Sequence, residues 1–345
     1  MMIVKLSEME RLILESIDRK IFPGCVLLIG SSDGIMYHEA FGDKALKPHI
    51  EPAFKDTIYD LASLTKVVAT TTAVMILVEE GKLSVYDDVS NFLDEFKVGL
   101  KKRIKVFHLL THTSGLPPYT DAWKTMKGEK LLNHILNVYP TGKVGEEVIY
   151  SCLNFVILMR IVEIITNMRF DEFTKRRIFE PLSMEKTSFK PVDVSNVAPT
   201  CEREGKILRG EPDDEIAYHL GGISGNAGLF STAEDLYKFC RIFLRGSELI
   251  HDEVKKFFIK GRNFNGRFRA LGWAVKEDGG FMGELASDDA FGHTGFTGTF
   301  LVIDPRKDLC IIFLSNRTHV ERRKTLNDMF VFRRRLHNLV NLIFG

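Results

Sequence analysis

The stretch that most constrains this chain runs from Val67 to Gly81 and is largely apolar. Its length and composition predict a long helix that stops at Gly81. The start of this helix carries Ser63 and Lys66, which are three residues apart. Residues at that spacing share one face of a helix, so we expect the lysine amine beside the serine hydroxyl. The apolar neighbours indicate that Lys66 does not lie on a solvated face.

This Ser-x-x-Lys pair is a candidate nucleophile with its base. A serine hydroxyl is a weak nucleophile until a neighbouring base takes its proton, and a lysine is that base only if its pKa is lowered. The helix N-terminus adds backbone N–H groups that suit an oxyanion. Alone, the pair is a weak signal, because the same spacing is common by chance on helix surfaces.

Strands are predicted at both ends of the chain and helices in its middle. The predicted strands cover residues 25–29, 35–41, 268–276, 298–303 and 310–315. Terminal helices are predicted over about 7–20, with Ser7 as the cap, and over about 320–344. This order predicts an α+β fold, in which an antiparallel sheet built from both termini and flanked by helices carries a large, mostly helical insertion.

The length of 345 residues is enough for one large domain with a sizeable core. No linker or internal repeat is visible in the sequence. We expect a single catalytic domain over residues 1–345, with a sheet part at about 1–82 and 230–345 and a helical and loop part at about 83–229.

The net charge of +1 favours neither nucleic acid nor a membrane surface. Five cysteines are scattered without a C-x-x-C pair, which argues against a disulfide framework or zinc site and for a reducing compartment. The sequence shows no signal-peptide pattern and no apolar stretch judged to be of membrane-spanning length. We therefore expect a cytoplasmic protein without nucleic-acid partner, membrane contact or metal.

Two further features have structural interpretations. His108 and His112 are spaced like a metal pair, but no third ligand accompanies them, and structural roles are favoured. The basic residues near the C-terminus, including 322–324 and Arg333, interleave with apolar residues at helical spacing. That pattern predicts a packed terminal helix with a solvated basic face, and not a nucleic-acid site.

Tyr150 is the second chemical element. It stands at the start of an apolar helix predicted over residues 150–166, in a loop preceded by glycine. A tyrosine there could share a proton with Ser63 and Lys66, as a phenolate base or as a phenol that protonates a leaving group. Taken alone, a buried tyrosine bonded to backbone is the favoured interpretation.

A glycine-rich segment around His293 and Thr294 is the third element. Glycines at the entry of a strand let a backbone edge approach a ligand closely, and Thr294 and Gly295 on such an edge could line up an amide or ester. The N–H of Phe296 could complete an oxyanion hole with that of Ser63. Taken alone, a hairpin bulge with a structural histidine is favoured.

Together these elements resemble the serine β-lactamase and penicillin-binding-protein superfamily. The motifs stand in this order: Ser63-Leu64-Thr65-Lys66, Tyr150, His293-Thr294-Gly295. The tyrosine-containing second motif resembles the class C and esterase branch. Two flanking segments, 109–116 and 227–236, match as well. The resemblance covers roughly residues 10–340, and three ordered motifs make a chance match improbable.

The resemblance implies a β-lactamase/transpeptidase-like fold and an acyl-enzyme mechanism that uses no metal or organic cofactor. It implies that Ser63 attacks a carbonyl while Lys66 and Tyr150 handle the proton, and that the oxyanion lies between the N–H groups of Ser63 and Phe296. Tyr150 would protonate the leaving group and then help water release the acyl group. His293 is counted with these catalytic residues.

The chain departs from true β-lactamases at two places. Cys152 stands where their second motif ends in an asparagine, and a thiol cannot make the same pair of hydrogen bonds. Asn154, further along the predicted helix, could partly substitute. His293 replaces a lysine that is charged and attracts a substrate carboxylate, whereas histidine is mostly neutral. His-Thr-Gly occurs in related esterases, D-amino-acid peptidases and cell-wall amidases.

Segments 211–218 and 291–304 resemble a cytoplasmic subgroup that trims muropeptides, and Asp214 and Asn226 are candidate substrate-facing residues. The leading hypothesis is a serine hydrolase acting on a small molecule, peptide or muropeptide, as an esterase, D-aminopeptidase or muropeptide amidase. The alternative is a β-lactamase or penicillin-binding or sensing protein with slow or no turnover. Neither the substrate nor the oligomeric state follows from the sequence.

Overall fold

The computed structural model describes residues 2–319 and 325–345. The strands are β1 (Gly24–Gly30), β2 (Ile35–Ala45), β3 (Glu51–Pro52), β4 (Tyr59–Asp60), β5 (Glu202–Arg203), β6 (Lys206–Ile207), β7 (Phe230–Ser231), β8 (Arg262–Phe264), β9 (Arg267–Arg269), β10 (Ala274–Val275), β11 (Phe291–Thr294), β12 (Phe300–Asp304) and β13 (Leu309–Ser315). The α-helices are α1 (Met2–Asp18), α2 (Thr72–Glu79), α3 (Val106–Leu110), α4 (Gly128–Asn137), α5 (Leu153–Thr166), α6 (Phe170–Thr174), α7 (Glu215–His219), α8 (Ala233–Leu244), α9 (Asp252–Ile259) and α10 (Leu326–Phe344).

One antiparallel sheet joins the two ends of the chain. Its strand order is β10-β11-β12-β13-β1-β2-β3, so β1 from the N-terminal part pairs with β13 from the C-terminal part. The register places Cys25 opposite Ser315 and Gly30 opposite Cys310. This arrangement confirms the predicted α+β fold with a sheet built from both termini.

Both faces of the sheet are covered. Alternate residues of β1 point to opposite faces, so Leu27 and Ile29 join one hydrophobic core with α1 and α10, while Val26 and Leu28 join the core that includes α8 and the helical middle of the chain. Every residue of β1 is buried as a result. A strand covered on both sides must be apolar throughout, which explains the unbroken apolar run at 25–29.

The apolar stretch around residues 62–79 is helical but not uniform. It begins with a 3₁₀ turn at Ala62–Leu64, continues as a π-helix over Lys66–Thr71 and ends as α2, before Gly81 with φ +67°. The 18-residue stretch has a mean hydropathy of 1.4 and is long enough to cross a membrane, so the expectation that no stretch has this length was wrong. Because 83% of it is buried inside the fold, it has the character of a core helix.

Several predicted boundaries also need correction. Ser7 does not cap the first helix but lies inside α1, where its hydroxyl donates to the carbonyl of Val4. The strand predicted over 268–276 is interrupted, because Gly272 turns the chain with φ +84° between β9 and β10. The terminal helix is described from Leu326, and residues 320–324 of the predicted helix lie outside the described residues.

Candidate active site

Ser63 lies in the 3₁₀ turn that follows β4. The preceding residue, Ala62, has φ +46°, a left-handed conformation that is unfavourable for a residue with a β-carbon. Its N–H donates to Oδ1 of Asp60 at 2.8 Å, and the N–H of Asp213 donates to Oδ2 at 2.7 Å. The Asp60 carboxylate therefore holds the strained turn that presents the serine.

Asp60 is a positioning residue that the sequence analysis missed. It is only 2% exposed, and this burial, together with the nearby carboxylates of Asp213 and Asp214, raises its pKa to about 7. The N–H groups of Ala62 and Asp213 oppose the rise because they stabilise the charged form. A signal was present, since an aspartate two residues before a turn N–H is typical of an Asx-turn.

Lys66 reaches back across the tight turn to the serine. Its Nζ donates to Ser63 Oγ at 2.9 Å and to the carbonyl oxygen of Asn226 at 2.8 Å, and it contacts Cys152 Sγ at 3.6 Å. Three acceptors thus match the three N–H donors of an ammonium group. Burial alone lowers the pKa of Lys66, but Cys152 and Tyr150 raise it, and the net direction is upward. The resting lysine is therefore charged.

The Tyr150 hydroxyl completes this group, within hydrogen-bonding reach of Ser63 and Lys66. Tyr150 precedes α5 instead of starting it, because that helix begins at Leu153. Burial of the phenol raises the pKa of Tyr150, and the Lys66 charge partly offsets the rise. Because the side chain is 37% exposed, solvent limits the size of this shift. Tyr150 is thus a neutral phenol at rest.

The loop from Thr111 to Pro118 fixes the position of Tyr150. His112, at φ +59°, accepts the N–H of Ser151 on Nδ1 at 3.0 Å, and its ring lies 4.5 Å from the tyrosine ring. The N–H of Cys152 donates to the carbonyl of Pro118 at 2.9 Å. Burial lowers the pKa of His112, so the imidazole stays neutral beneath the phenol. His112 thus positions Tyr150 through the Ser151 hydrogen bond and this tilted ring contact.

The turn after β11 is fastened to the nucleophile turn. Thr297 Oγ1 donates to the carbonyl of Asp60 at 2.8 Å, and Thr299 Oγ1 donates to that of Leu61 at 3.1 Å. A β-carbon at Gly295 would lie 2.7 Å from the same Leu61 oxygen, so only glycine fits there. This docking brings the segment that carries Phe296 against the turn that carries Ser63, as two oxyanion donors require.

His293 lies at the edge of this group, and its ring centroid is 6.0 Å from that of Tyr150. Its Nδ1 lies 2.8 Å from the carbonyl of Thr294. A carbonyl only accepts, so this nitrogen carries the proton and Nε2 keeps its lone pair. Burial and the positive charge of Lys66 lower the pKa of His293 to about 3. His293 is therefore neutral and brings no positive charge to the site.

Arg333 lies in a different place from the one that the sequence predicts. It was expected on a solvated basic face, but α10 turns it inward, where it is 9% exposed. Its guanidinium donates to the carbonyls of Gly295 at 3.1 Å and Thr299 at 3.3 Å. Arg333 thus stabilises the turn after β11 through these two hydrogen bonds. Helical periodicity could not distinguish this inward position from its neighbours, because the carbonyls it binds come from a distant segment.

Three predicted substrate contacts are used within the protein. Asn154 is fully buried and accepts from Ser114 Oγ at 2.6 Å, so it does not replace the asparagine missing at Cys152. The Asn226 side chain is fully buried too, and its amide donates to Asp214 Oδ1 at 3.1 Å. Asp214 also caps α7. These bonds engage all three side chains within the fold, and Asn226 also offers its carbonyl to Lys66.

The group as a whole can perform acyl transfer. The serine hydroxyl and the charged lysine share a hydrogen bond within one turn, and the loop before α5 brings the neutral Tyr150 phenol beside them. Cys152 is partly exposed beside Lys66, and Thr294 is partly exposed at the end of β11, so both border the space before the serine. Among the described residues, no three metal-ligating side chains come together.

Comparison with known proteins agrees with this geometry. The family model named Beta-lactamase matches residues 9–333. The chain is 32% identical to the N-acetylmuramyl-L-alanine amidase of Bacillus subtilis, over 86% of this chain and 78% of that protein. It is also 32% identical to a putative D-alanyl-D-alanine carboxypeptidase of Salmonella agona, over 90% of this chain and 83% of that protein. The octameric penicillin-binding protein homologue from Pyrococcus abyssi has a similar fold, with a TM-score of 0.76, 23% identity, and coverage of 98% of this chain and 77% of that one.

Proposed function

The chain belongs to the beta-lactamase family of serine hydrolases, and from that premise we propose that it is a cytoplasmic enzyme that cleaves an ester or amide bond through an acyl-enzyme on Ser63. One observation carries the proposal: Lys66 Nζ donates to Ser63 Oγ at 2.9 Å, with the Tyr150 hydroxyl within reach of both. Such a serine with adjacent proton-transfer groups is the arrangement that nucleophilic catalysis needs.

Proton transfer in this proposal runs through Tyr150. The pKa values of Lys66 and Tyr150 both lie above their ordinary values, so the resting pair holds an ammonium and a phenol. Neither group accepts a proton in that form. The reactive form has lost one proton from the coupled pair; in it the Tyr150 oxygen takes the serine proton, while the Lys66 ammonium stabilises the phenolate.

The acyl transfer then proceeds in two halves. Ser63 Oγ bonds to the substrate carbonyl carbon, and the oxyanion is held by the N–H groups of Ser63 and Phe296. Tyr150 passes the serine proton to the leaving oxygen or nitrogen, which departs and leaves an acyl ester. Water attacks that ester, gives its proton to Tyr150, and Ser63 recovers a proton as the acid is released.

For the substrate class, we favour amides of cell-wall-type peptides and simple esters over lactams. Cys152 offers one weak donor where a lactam side chain would need two hydrogen bonds, and the neutral His293 attracts no lactam carboxylate. The names of the two relatives at 32% identity, an amidase and a carboxypeptidase, support the same preference. The cytoplasmic assignment is supported by the five cysteines, all of which are unpaired.

A substrate panel tests this proposal. We would compare hydrolysis of p-nitrophenyl acetate, an N-acetylmuramyl-L-alanine peptide, a D-alanyl-D-alanine peptide and benzylpenicillin by the wild-type enzyme and by Ser63→Ala. Turnover of the ester and of at least one peptide, lost in the variant, is the expected result. Turnover of penicillin alone would contradict the substrate preference, and equal rates in the variant would contradict the serine mechanism.

A further inference from the structure

A cleft of about 510 Å³ opens beside the catalytic tyrosine. Its lining includes Tyr150, Arg269, His293 and Thr294. In the proposed function Tyr150 hands a proton to the leaving group, so this cleft is the space into which the leaving group extends. The chemistry of its walls therefore bears on which leaving groups the enzyme accepts.

Arg269 is the cation of this cleft. It lies at the end of β9, in a hairpin with β8 that turns at Asn265 and Gly266, both at positive φ. Its side chain is half-buried. Across residues 2–319 and 325–345 we find no hydrogen bond or ion pair from its guanidinium. The carboxylate of Glu277 influences it only at longer range and instead accepts the N–H of Phe268 at 2.6 Å.

Among the described residues that line the cleft, Arg269 is the only lysine or arginine. His293 is neutral, and its Nε2 presents a lone pair. Lys66 is turned inward, with its donors used by Ser63 and Asn226. Partial burial removes some of the water around the Arg269 guanidinium and thereby lowers its pKa. An anionic ligand would restore the solvation that this guanidinium has lost.

We propose that Arg269 binds a carboxylate on the leaving group, so that the preferred substrates release an amino acid or peptide, or another acid-bearing amine or alcohol. The inference rests on the proposed function. A guanidinium suits this role because its planar fork matches a carboxylate with two parallel hydrogen bonds. Glu277 and Asp278 also line the cleft, so an anion is favoured only in direct contact with Arg269.

The cleft leaves room for a leaving group longer than one amino acid. A larger groove, of about 1040 Å³, lies next to this cleft, because Arg269, Val275 and Glu277 line both. A peptide anchored by one carboxylate at Arg269 could follow this groove with its remaining residues. The arginine is thus a specificity-determining residue at the point where the two spaces meet.

A matched pair of esters tests this assignment: phenyl acetate and 3-carboxyphenyl acetate, which share the acyl group and differ in one carboxylate. We would measure kcat/KM for both with the wild-type enzyme, Arg269→Gln, Arg269→Lys and the control Arg267→Gln. Arg267 carries the same charge on the same strand but is exposed, and it lines only the larger groove and not the cleft beside Tyr150.

The wild-type enzyme should prefer the carboxylate ester, and Arg269→Gln should lower that preference about 10- to 100-fold, the range for a charge-assisted hydrogen bond. Arg269→Lys should retain part of it, and Arg267→Gln should retain it fully. A ratio of the two kcat/KM values that is the same in Arg269→Gln and wild type would overturn the inference alone. An enzyme that hydrolyses neither ester would overturn the proposed function and the inference with it.

Discussion

Replacing Asp60 with alanine tests how the fold presents the nucleophile. The carboxylate accepts the N–H groups of Ala62 at 2.8 Å and Asp213 at 2.7 Å in a place that is 2% exposed. Each buried N–H left without a partner costs about 1–3 kcal/mol, so the variant should lose about 2–6 kcal/mol of unfolding free energy. Ala62 would be released from φ +46°, and Ser63 would move with it.

The catalytic effect of Asp60→Ala should exceed what lost stability explains. A displacement of about 1 Å at a reacting group costs about 100-fold in rate, so we expect kcat to fall about 10- to 100-fold at a temperature where the variant remains folded. Chemical denaturation gives the stability, and ester hydrolysis per folded molecule gives kcat.

Asp304→Ala is the matched control. Asp304 is equally buried and also accepts two backbone N–H groups, from Ser287 at 2.9 Å and Lys307 at 3.3 Å, but it lies at the end of β12 remote from Thr294. The Asp304→Ala variant should be less stable than the wild type but keep the wild-type kcat. The reasoning is refuted if Asp60→Ala unfolds at the wild-type denaturant midpoint, or if both variants lose kcat equally.

The pH dependence of stability gives an independent check on the same group. The pKa of Asp60 is raised to about 7 in the folded protein, whereas it is near 4 in an unfolded chain. The folded state therefore binds the extra proton between these values, and the stabilising contribution present below pH 4 is lost as pH rises through 7. In Asp60→Asn this part of the stability change should be absent. If unfolding free energy changed with pH between 4 and 7 in the same way in Asp60→Asn and in the wild type, the raised pKa of Asp60 would be contradicted.

Four further perturbations test other parts of the site. Because the pKa values of Lys66 and Tyr150 are both raised, the fraction of enzyme in the reactive form grows with pH, and kcat/KM for a neutral ester should increase about tenfold per pH unit below the apparent pKa of the pair. A pH-independent wild-type profile would contradict the mechanism. Tyr150→Phe should lower the rate at least about 100-fold. Cys152→Asn should raise lactam turnover relative to ester turnover, because the asparagine amide offers both a hydrogen-bond donor and an acceptor. An unchanged ratio would show that Cys152 does not limit lactam use. Arg333→Met should lower kcat and cost about 2–4 kcal/mol of unfolding free energy, because the buried carbonyls of Gly295 and Thr299 lose charge-assisted donors. A variant with the kcat and the stability of the wild type would refute the role of Arg333 in supporting the turn.

The sequence predicted the parts of this protein that depend on local pattern. The apolar runs that form β1 and β13 could be read as strands, and the order of elements indicated that both termini build one sheet, as the pairing of Cys25 with Ser315 shows. The three-residue spacing of Ser63 and Lys66 correctly anticipated their contact, because a tight helical turn brings such positions together.

What the sequence could not predict depends on partners far apart in the chain. Asn154 and Asn226 look like substrate ligands by type and position, yet both side chains bond inside the fold to Ser114 and Asp214. Arg333 looks like a surface arginine until the turn after β11 provides carbonyls for it. The direction in which a polar side chain points is decided by these long-range contacts, and periodicity within one helix carries no information about them.

The most direct test of the central claim is intact-protein mass spectrometry after rapid mixing with p-nitrophenyl acetate, with peptide mapping of any adduct. The account predicts a transient acetyl group on Ser63 that disappears as p-nitrophenol is released, and no adduct in Ser63→Ala. Continued p-nitrophenol release by Ser63→Ala at the wild-type rate, or an adduct that maps to another residue, would contradict it.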